Sequence, residues 1–480
     1  MYKNMLKNSK MRLVSLLGAI AIVFFTLWGC GGGTSSYDAV NYDPVLTKTA
    51  NALVDATTLK GWMDQGLVQG VSSPFVAGEK VVILDYKDAT AYASGHIPGA
   101  VRVDGGELLL TRLEGVAEMG SLVTDGPHMD AIIQRAGIDA NTTIVFTSSS
   151  VSNATRAYAT FRYWGFPKSR LKVLDGVDTV WKATNPMSLT TPTIKPSSYC
   201  VTPNGVNRVQ AQLRASLGEM MHAVQNYDGT KHAIIDDLSN PANGLAVPVT
   251  STSTWSGNMY KGIPGSTSGL LPYAVSATTE YVVFEGHMKN AVNLYATNMY
   301  AGNVFFPAND GTPASLKSKF NAVGMDETKT AYVYCRAGNF ATIEFFALDG
   351  ILNWNVVWYD GSWGQWALMA DRKGGKLKAG SIWSTYPLSV SDPVPNTTDT
   401  LLPKYVRDAV DGVTYNTDNT PVGSAVKYPI QPLPYYPALD VFTTVTDPAA
   451  NQIETADKSY KSPLSSSSGG SSGGSSGGGC

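Results

Sequence analysis

Histidine and cysteine are scarce here: five and four residues in a chain of 480. No Cys-x-x-Cys-His run and no Cys/His zinc spacing occurs, so neither a c-type haem nor a structural zinc site is expected. Charge is scarce too, at 15% of residues against about a quarter in ordinary globular chains. The net charge of −2 offers no electrostatic case for nucleic acid. The apolar run Leu13–Trp28 has 16 residues, short of the ~20 that span a membrane as a helix. Plentiful are Gly, Ser, Thr and Tyr, with 43% hydrophobic residues, which fits a globular protein of two to four domains. A sparsely charged chain rich in Tyr and Thr suits the outside of the cytoplasm.

The N-terminus points the same way. Lys3, Lys7, Lys10 and Arg12 precede the apolar run, the layout of a signal peptide over residues 1–30. The run ends in Leu27-Trp28-Gly29-Cys30, which resembles a bacterial lipobox, and the resemblance implies lipidation of Cys30. Gly31 after it implies, by the same resemblance, an outer-membrane destination in a cell envelope with two membranes. With Cys30 lipidated, Cys200, Cys335 and Cys480 remain, an odd number that excludes a disulfide framework and leaves a single Cys200–Cys480 bridge open.

The stretch that says most about chemistry is Ala331-Tyr332-Val333-Tyr334-Cys335, followed by Arg336-Ala337-Gly338-Asn339-Phe340-Ala341. The β-branched and aromatic run predicts a buried strand ending at the cysteine. A short glycine-containing loop then opens a helical stretch from Asn339 to Leu352. A thiol at such a junction faces backbone N–H groups and the positive end of a helix. Those donors are expected to favour the thiolate, which is the nucleophilic form.

Cys-Arg-Ala-Gly-Asn-Phe-Ala resembles the active-site loop of the rhodaneses, a family of sulfurtransferases. Tyr359-Asp360-Gly361-Ser362-Trp363-Gly364-Gln365-Trp366 resembles the segment that follows that loop, and Gly286-His287-Met288-Lys289-Asn290-Ala291-Val292-Asn293 the signature that precedes it. The resemblance implies a nucleophilic Cys335 that carries sulfur as a covalent persulfide, with no other cofactor. It implies a substrate-binding loop of Arg336, Ala337, Gly338, Asn339, Phe340 and Ala341. Arg336 is expected to orient a small anionic sulfur or selenium donor, and a thiol to act as acceptor. Where the family's thiosulfate enzymes place a substrate arginine, this chain has Asp237 and Leu238. Cys-x5-Arg phosphatase chemistry is disfavoured because the sixth residue after the cysteine is Ala341.

The signature occurs twice. Gly95-His96-Ile97-Pro98-Gly99-Ala100-Val101 is its first copy, and the strands Val81–Asp85 and Thr143–Phe146 flank it. His96 to Ser148 spans 52 residues and His287 to Cys335 spans 48. Superposing Ala154-Thr155 on Ala341-Thr342 sets Ser148 opposite Cys335, so the first half has no thiol and is expected to be inert. His96 and His287 are read as structural, and Asp85 and Asp236 as loop-holding acceptors of backbone N–H groups.

Strands alternating with helices predict an α/β fold of two tandem rhodanese-like domains. Each is a mainly parallel sheet with helices on both faces, and an irregular C-terminal extension follows. The domains are expected over 37–185 and 207–371, the second with an insertion at 239–279. An extension of wrapping extended chain covers 372–464, and a Gly/Ser tail over 465–480 ends in Cys480. Such a lipoprotein resembles the rhodanese-like proteins encoded with selenite and tellurite reduction genes. That implies envelope redox partners and a redox or attachment role for Cys480. A non-catalytic binding or scaffold module on the same fold is the alternative.

Overall fold

Apolar runs of five or six residues, bounded by Asp, Gly and Ser, have nowhere to bury both faces except inside a helix-covered sheet. The computed structural model describes residues 51–71, 80–115, 117–237, 247–248, 288, 290–369, 414–415, 421–422 and 448–463. Its first sheet contains β1 (Leu53–Val54), β2 (Val81–Tyr86), β3 (Ala100–Val103), β6 (Thr143–Ser148) and β7 (Leu171–Leu174). Their order is β1-β7-β6-β2-β3 and every pairing is parallel. All six residues of β2 are buried, as a central parallel strand requires. Between β3 and β6 an antiparallel hairpin, β4 (Leu109–Glu114) and β5 (Ala117–Val123), projects toward the second half.

The second sheet repeats that plan with β8 (His232–Asp236), β10 (Ala291–Asn293), β13 (Thr330–Tyr334) and β14 (Asn355–Trp358). Its order is β14-β13-β8-β10-β9, so β8 stands where β2 stands, β13 where β6 stands and β14 where β7 stands. One isolated parallel bridge, Arg214 to Trp358, takes the place of β1. The departure is β9 (Val247–Pro248), antiparallel on the edge of β10. It comes from the insertion, the rest of which lies outside the described residues. A small hairpin, β11 (Tyr300–Ala301) and β12 (Val304–Phe305), meets the first domain, where Asp175 accepts the Phe305 N–H at 2.9 Å.

Two helices join the halves. The long one, α5 (Val151–Tyr163), is buried along nearly its whole length. It packs on Ala341–Phe346 of the second half, here α9, which continues as a wider π-type turn through Leu352. Thr155 and Thr342, which hold equivalent positions in the two copies, share a hydrogen bond of 2.9 Å. Further along, Asp349 accepts from Tyr158 at 2.6 Å and from Arg162 at 2.9 and 3.1 Å. Lys168 donates to the Asp349 carbonyl at 2.6 Å.

The extension is not extended chain throughout. Among its described residues, Gln452–Ser459 form a helix that docks on the first domain. Asp457 receives both terminal nitrogens of Arg112, at 2.9 and 2.6 Å, and the Tyr163 hydroxyl at 2.9 Å. Ile453, one turn earlier, is its one buried apolar side chain, too little to register as a helical stripe in sequence. Cys30, the signal segment, His287 and Cys480 lie outside the described residues.

Candidate active site

β13 is paired on both sides, with β8 and β14, so its carboxyl end opens where ligands of parallel sheets bind. Register sets Tyr334 beside Asp236. The next step along both strands brings Cys335 beside Asp237, whose N–H donates to the Tyr334 carbonyl at 2.8 Å. Side chains alternate along strands. Tyr334 and Asp236 therefore share one face, and the tyrosine hydroxyl donates to that carboxylate at 2.9 Å while accepting the Met288 N–H at 2.9 Å. Cys335 and Asp237 share the other.

The loop after Cys335 is held from three directions. The Cys335 N–H donates to Ser362 Oγ at 3.1 Å, and Ser362 Oγ donates in turn to the Tyr359 carbonyl at 2.9 Å. The Trp363 and Gly364 N–H groups donate to the carbonyls of Cys335 and Arg336 at 3.0 and 2.9 Å. The Gly338 carbonyl accepts Trp358 Nε1 at 2.9 Å and, from the first domain, Arg156 Nη1 at 3.2 Å. Gly338 itself has a left-handed φ of +76°, and a Cβ there would lie 2.2 Å from the Asp360 carbonyl oxygen. Only glycine fits. So held, the loop turns its N–H groups inward: Gly338 donates to Cys335 Sγ at 3.0 Å, and Ala337 and Ala341 donate to the same sulfur.

The electrostatics differ from the sequence reading, in which backbone donors favour the thiolate. Cys335 is only 4% exposed. Burial, and then the Asp237 carboxylate, push its thiol up, and the N–H groups of Ala341, Ala337 and Gly338 oppose without prevailing. Burial likewise pushes Asp237 well above the usual carboxylate range, Asp236 adding to it, against one hydrogen bond from the Ala296 N–H at 2.5 Å. Among the described residues Asp237 Oδ2 has no hydrogen-bond partner. Glu344, fully buried in α9, has none on either oxygen and is pushed well up by burial, then by Asp237, Asp236 and Cys335. Two carboxyls, Asp237 and Glu344, thus act on one thiol.

A buried cation that donates to the loop comes from the other domain. Arg156, fully buried in α5, lies 4.3 Å from the Trp358 ring centre and also donates to the Ser121 carbonyl at 2.9 Å. Burial draws its guanidinium down to about 10, against the pull of Asp360, Tyr86 and Cys335, so it stays charged at neutral pH. Nothing in the sequence marked it, since its equivalent in the second copy is Ile343. Ser362 had a signal in the Gly-Ser-Trp segment. Glu344 and Tyr295 had none; Tyr295 interacts electrostatically with Asp237, Arg336 and Cys335.

The remaining residues of the loop differ in exposure. Arg336, Ala337 and Asn339 are half-buried, Gly338 and Ala341 buried, and Phe340 is 42% exposed. Cys200 is disulfide-bonded, which leaves Cys335 as the free thiol among the described residues. Ser148, opposite Cys335 in the first copy, is buried and donates to the Tyr86 carbonyl at 2.7 Å. His96 is buried between the Tyr92 and Thr190 carbonyls, at 3.0 and 3.1 Å, and stacks on Tyr92. Asp85 does not accept backbone N–H groups as expected. It pairs with Lys87 at 3.0 Å, which also meets Asp178 at 2.8 Å. Asp236 takes the Tyr334 hydroxyl. Among the described residues no group of three or more His, Cys, Asp or Glu is placed to hold a metal ion. A cleft of about 1140 Å³ lies at the opposite end of the second sheet, lined by Thr330, Tyr332 and Gln210 to Arg214, and does not include Cys335.

Residues 71–184 match the family model described as the Rhodanese-like domain. A thiosulfate sulfurtransferase of Corynebacterium glutamicum is 27% identical over 293 residues, covering 60% of this chain and 82% of that relative. The sulfur carrier protein TtuD of Thermus thermophilus is 24% identical over 60% of this chain and 88% of its own length. The crystal structure of YnjE matches with a TM-score of 0.48 at 19% identity, over 65% of each chain. Residues 71–184 thus match the rhodanese-like domain model, and the second sheet repeats the strand order of the first around Cys335.

Proposed function

We propose that the protein moves sulfane sulfur through a persulfide on Cys335. The observation that carries this reading is the Cys335 sulfur facing the Gly338 N–H at 3.0 Å, at the carboxyl end of a central parallel strand. Curated relatives that bear the names of a sulfurtransferase and a sulfur carrier support sulfur transfer in general. In the first half-reaction the Cys335 thiolate attacks the outer sulfur of a donor such as thiosulfate. The new S–S bond forms as the old one breaks, and sulfite leaves with the electron pair. In the second, an acceptor thiolate attacks the outer sulfur, Cys335 leaves as thiolate, and no oxidant is consumed. N–H groups of residues 336–341 hold the anionic sulfur in both states. Arg336 orients an anionic donor through paired donors.

The finer assignment follows the sequence. A lipid on Cys30 anchors the chain in the cell envelope, selenium is a second cargo for the same thiolate, and Cys480, at the end of the Gly/Ser tail, has a redox or attachment role. A second reading, a rhodanese-fold binding module for envelope redox proteins, draws on the near-complete burial of Cys335 and the upward push on its thiol. Intact-mass spectrometry after exposure to thiosulfate, and separately to selenite with glutathione, separates the two. Gain of one sulfur or selenium in wild type and in Cys480→Ser, lost in Cys335→Ser, supports transfer. No adduct with any donor, together with a Cys335 inert to alkylation, leaves the binding module.

A further inference from the structure

We infer that Asp237 is the recognition residue for the sulfur acceptor, and that the acceptor is a small aminothiol whose ammonium group pairs with this carboxylate. The inference rests on the transfer reading above and names the acceptor's chemical class. Register places Asp237 next to Cys335 on the same side of the sheet, one strand spacing of about 4.8 Å away. An ammonium that reaches Asp237 therefore holds its own thiol two or three bonds away, over the Cys335 sulfur.

Among the described residues, no side chain supplies this carboxyl with a counter-charge. Asp237 is 2% exposed, yet among the described residues its Oδ2 has no hydrogen-bond partner, and both oxygens of fully buried Glu344 are likewise unmatched. A buried carboxylate without a partner is costly, and a guest that supplies the counter-charge recovers that cost. Tyr295 lies in the electrostatic reach of both Asp237 and Cys335. The upward push on Asp237 agrees in direction, since burial without a counter-cation disfavours the charged carboxylate. The ammonium of the acceptor supplies the counter-charge that the buried carboxyl lacks among the described residues. Arg336 and Asp237 then serve opposite charges at opposite stages.

The test uses the full chain, loaded on Cys335 with inorganic polysulfide and offered two acceptors of similar size: cysteamine and 3-mercaptopropionate. Loss of the extra sulfur is followed by intact mass, and each rate is divided by the same acceptor's rate with a free small-molecule persulfide. Wild type is expected to favour cysteamine. That preference is expected to fall by about tenfold or more in the near-isosteric Asp237→Asn, the size of one lost charge contact, and to reverse in Asp237→Arg. A wild-type preference for mercaptopropionate, or no preference, overturns the inference without any variant being needed. So does a preference that survives Asp237→Asn in protein that still loads and melts normally. Failure of wild-type Cys335 to load at all overturns the transfer reading itself, a different result from loading without discrimination.

Discussion

Removing Arg156 tests whether the domain without a thiol takes part in the chemistry of the other. Arg156→Met keeps most of the aliphatic bulk and removes the guanidinium. Lost with it are donations to Gly338 at 3.2 Å and Ser121 at 2.9 Å, a long contact to Leu108 at 3.4 Å, and the stacking over Trp358. A hydrogen bond from a charged donor contributes about 1.5–3 kcal/mol, and a desolvated cation–π contact ~2 kcal/mol. The released desolvation penalty of the buried cation offsets part of this, so a net loss of about 3–5 kcal/mol is expected, as for other buried charges cut from their partners. Urea unfolding measures that total. The specific readout is the rate of Cys335 alkylation against pH. Loss of a nearby cation disfavours the thiolate, so the alkylation midpoint moves to higher pH. Arg156→Lys keeps the charge but not the fork of donors. It is expected to restore much of the midpoint and little of the stability. An alkylation profile of Arg156→Met that superimposes on wild type refutes the argument, whatever the change in stability.

Other expectations follow from single contacts. Gly338→Ala drives a Cβ to within 2.2 Å of the Asp360 carbonyl at a left-handed φ, so the loop must rebuild; sulfur uptake by Cys335 is expected to vanish in mass spectra while the first domain stays folded by circular dichroism. Glu344 has its folded pKa raised by burial, so its contribution is fully present below the unfolded value of about 4.3 and is lost as pH rises through the folded one. Glu344→Gln should therefore melt higher than wild type at pH 8 and alike at pH 4, and equal melting at pH 8 would defeat this. Burial works against the Asp349 carboxylate, yet Arg162, Lys168 and Tyr158 hold it below the ordinary range, so its stabilisation is present above about 3.9 and lost as pH falls. Asp349→Ala should cost about 3–5 kcal/mol at pH 7 and flatten the acid limb of the stability curve, both read from urea titrations at several pH values.

The junction that carries Cys335 was legible because local signals agreed there. A β-branched and aromatic run ends at a thiol, a glycine marks the loop, and a helical stretch follows. The repeat was legible for a similar reason, since Gly95–Val101 and Gly286–Val292 share their Gly, His, Ala and Val and stand at similar distances from the strands that follow. The balance of charge around the thiol was not. Backbone donors can be inferred from a loop's shape, whereas burial depends on everything packed above it, and here burial outweighs the donors. Asp237 stood out as a substitution for an expected arginine, but its alignment with Cys335 is a fact of strand register. Arg156 was invisible for a plainer reason. It acts across a domain boundary, and no pattern within its own helix distinguishes it from a surface arginine. The helix Gln452–Ser459 escaped notice because it buries one apolar side chain and is held mainly by Arg112, Tyr163 and Asp457.

The hydrogen bond between Thr155 and Thr342 has a wider meaning. A residue touches its own counterpart only on a two-fold axis, so the halves of this chain meet as the subunits of an isologous dimer meet. In a true dimer one side chain must serve both copies of such a contact. Covalent fusion lifts that constraint. The next position is a cation, Arg156, in one half and an apolar Ile343 in the other, and both are fully buried. The copy that carries no thiol can thus specialise as a fixed source of positive charge, while the copy that carries it keeps an oily helix face toward its neighbour. Two subunits bound by strict symmetry have no way to divide the work like this; one chain with a broken symmetry does.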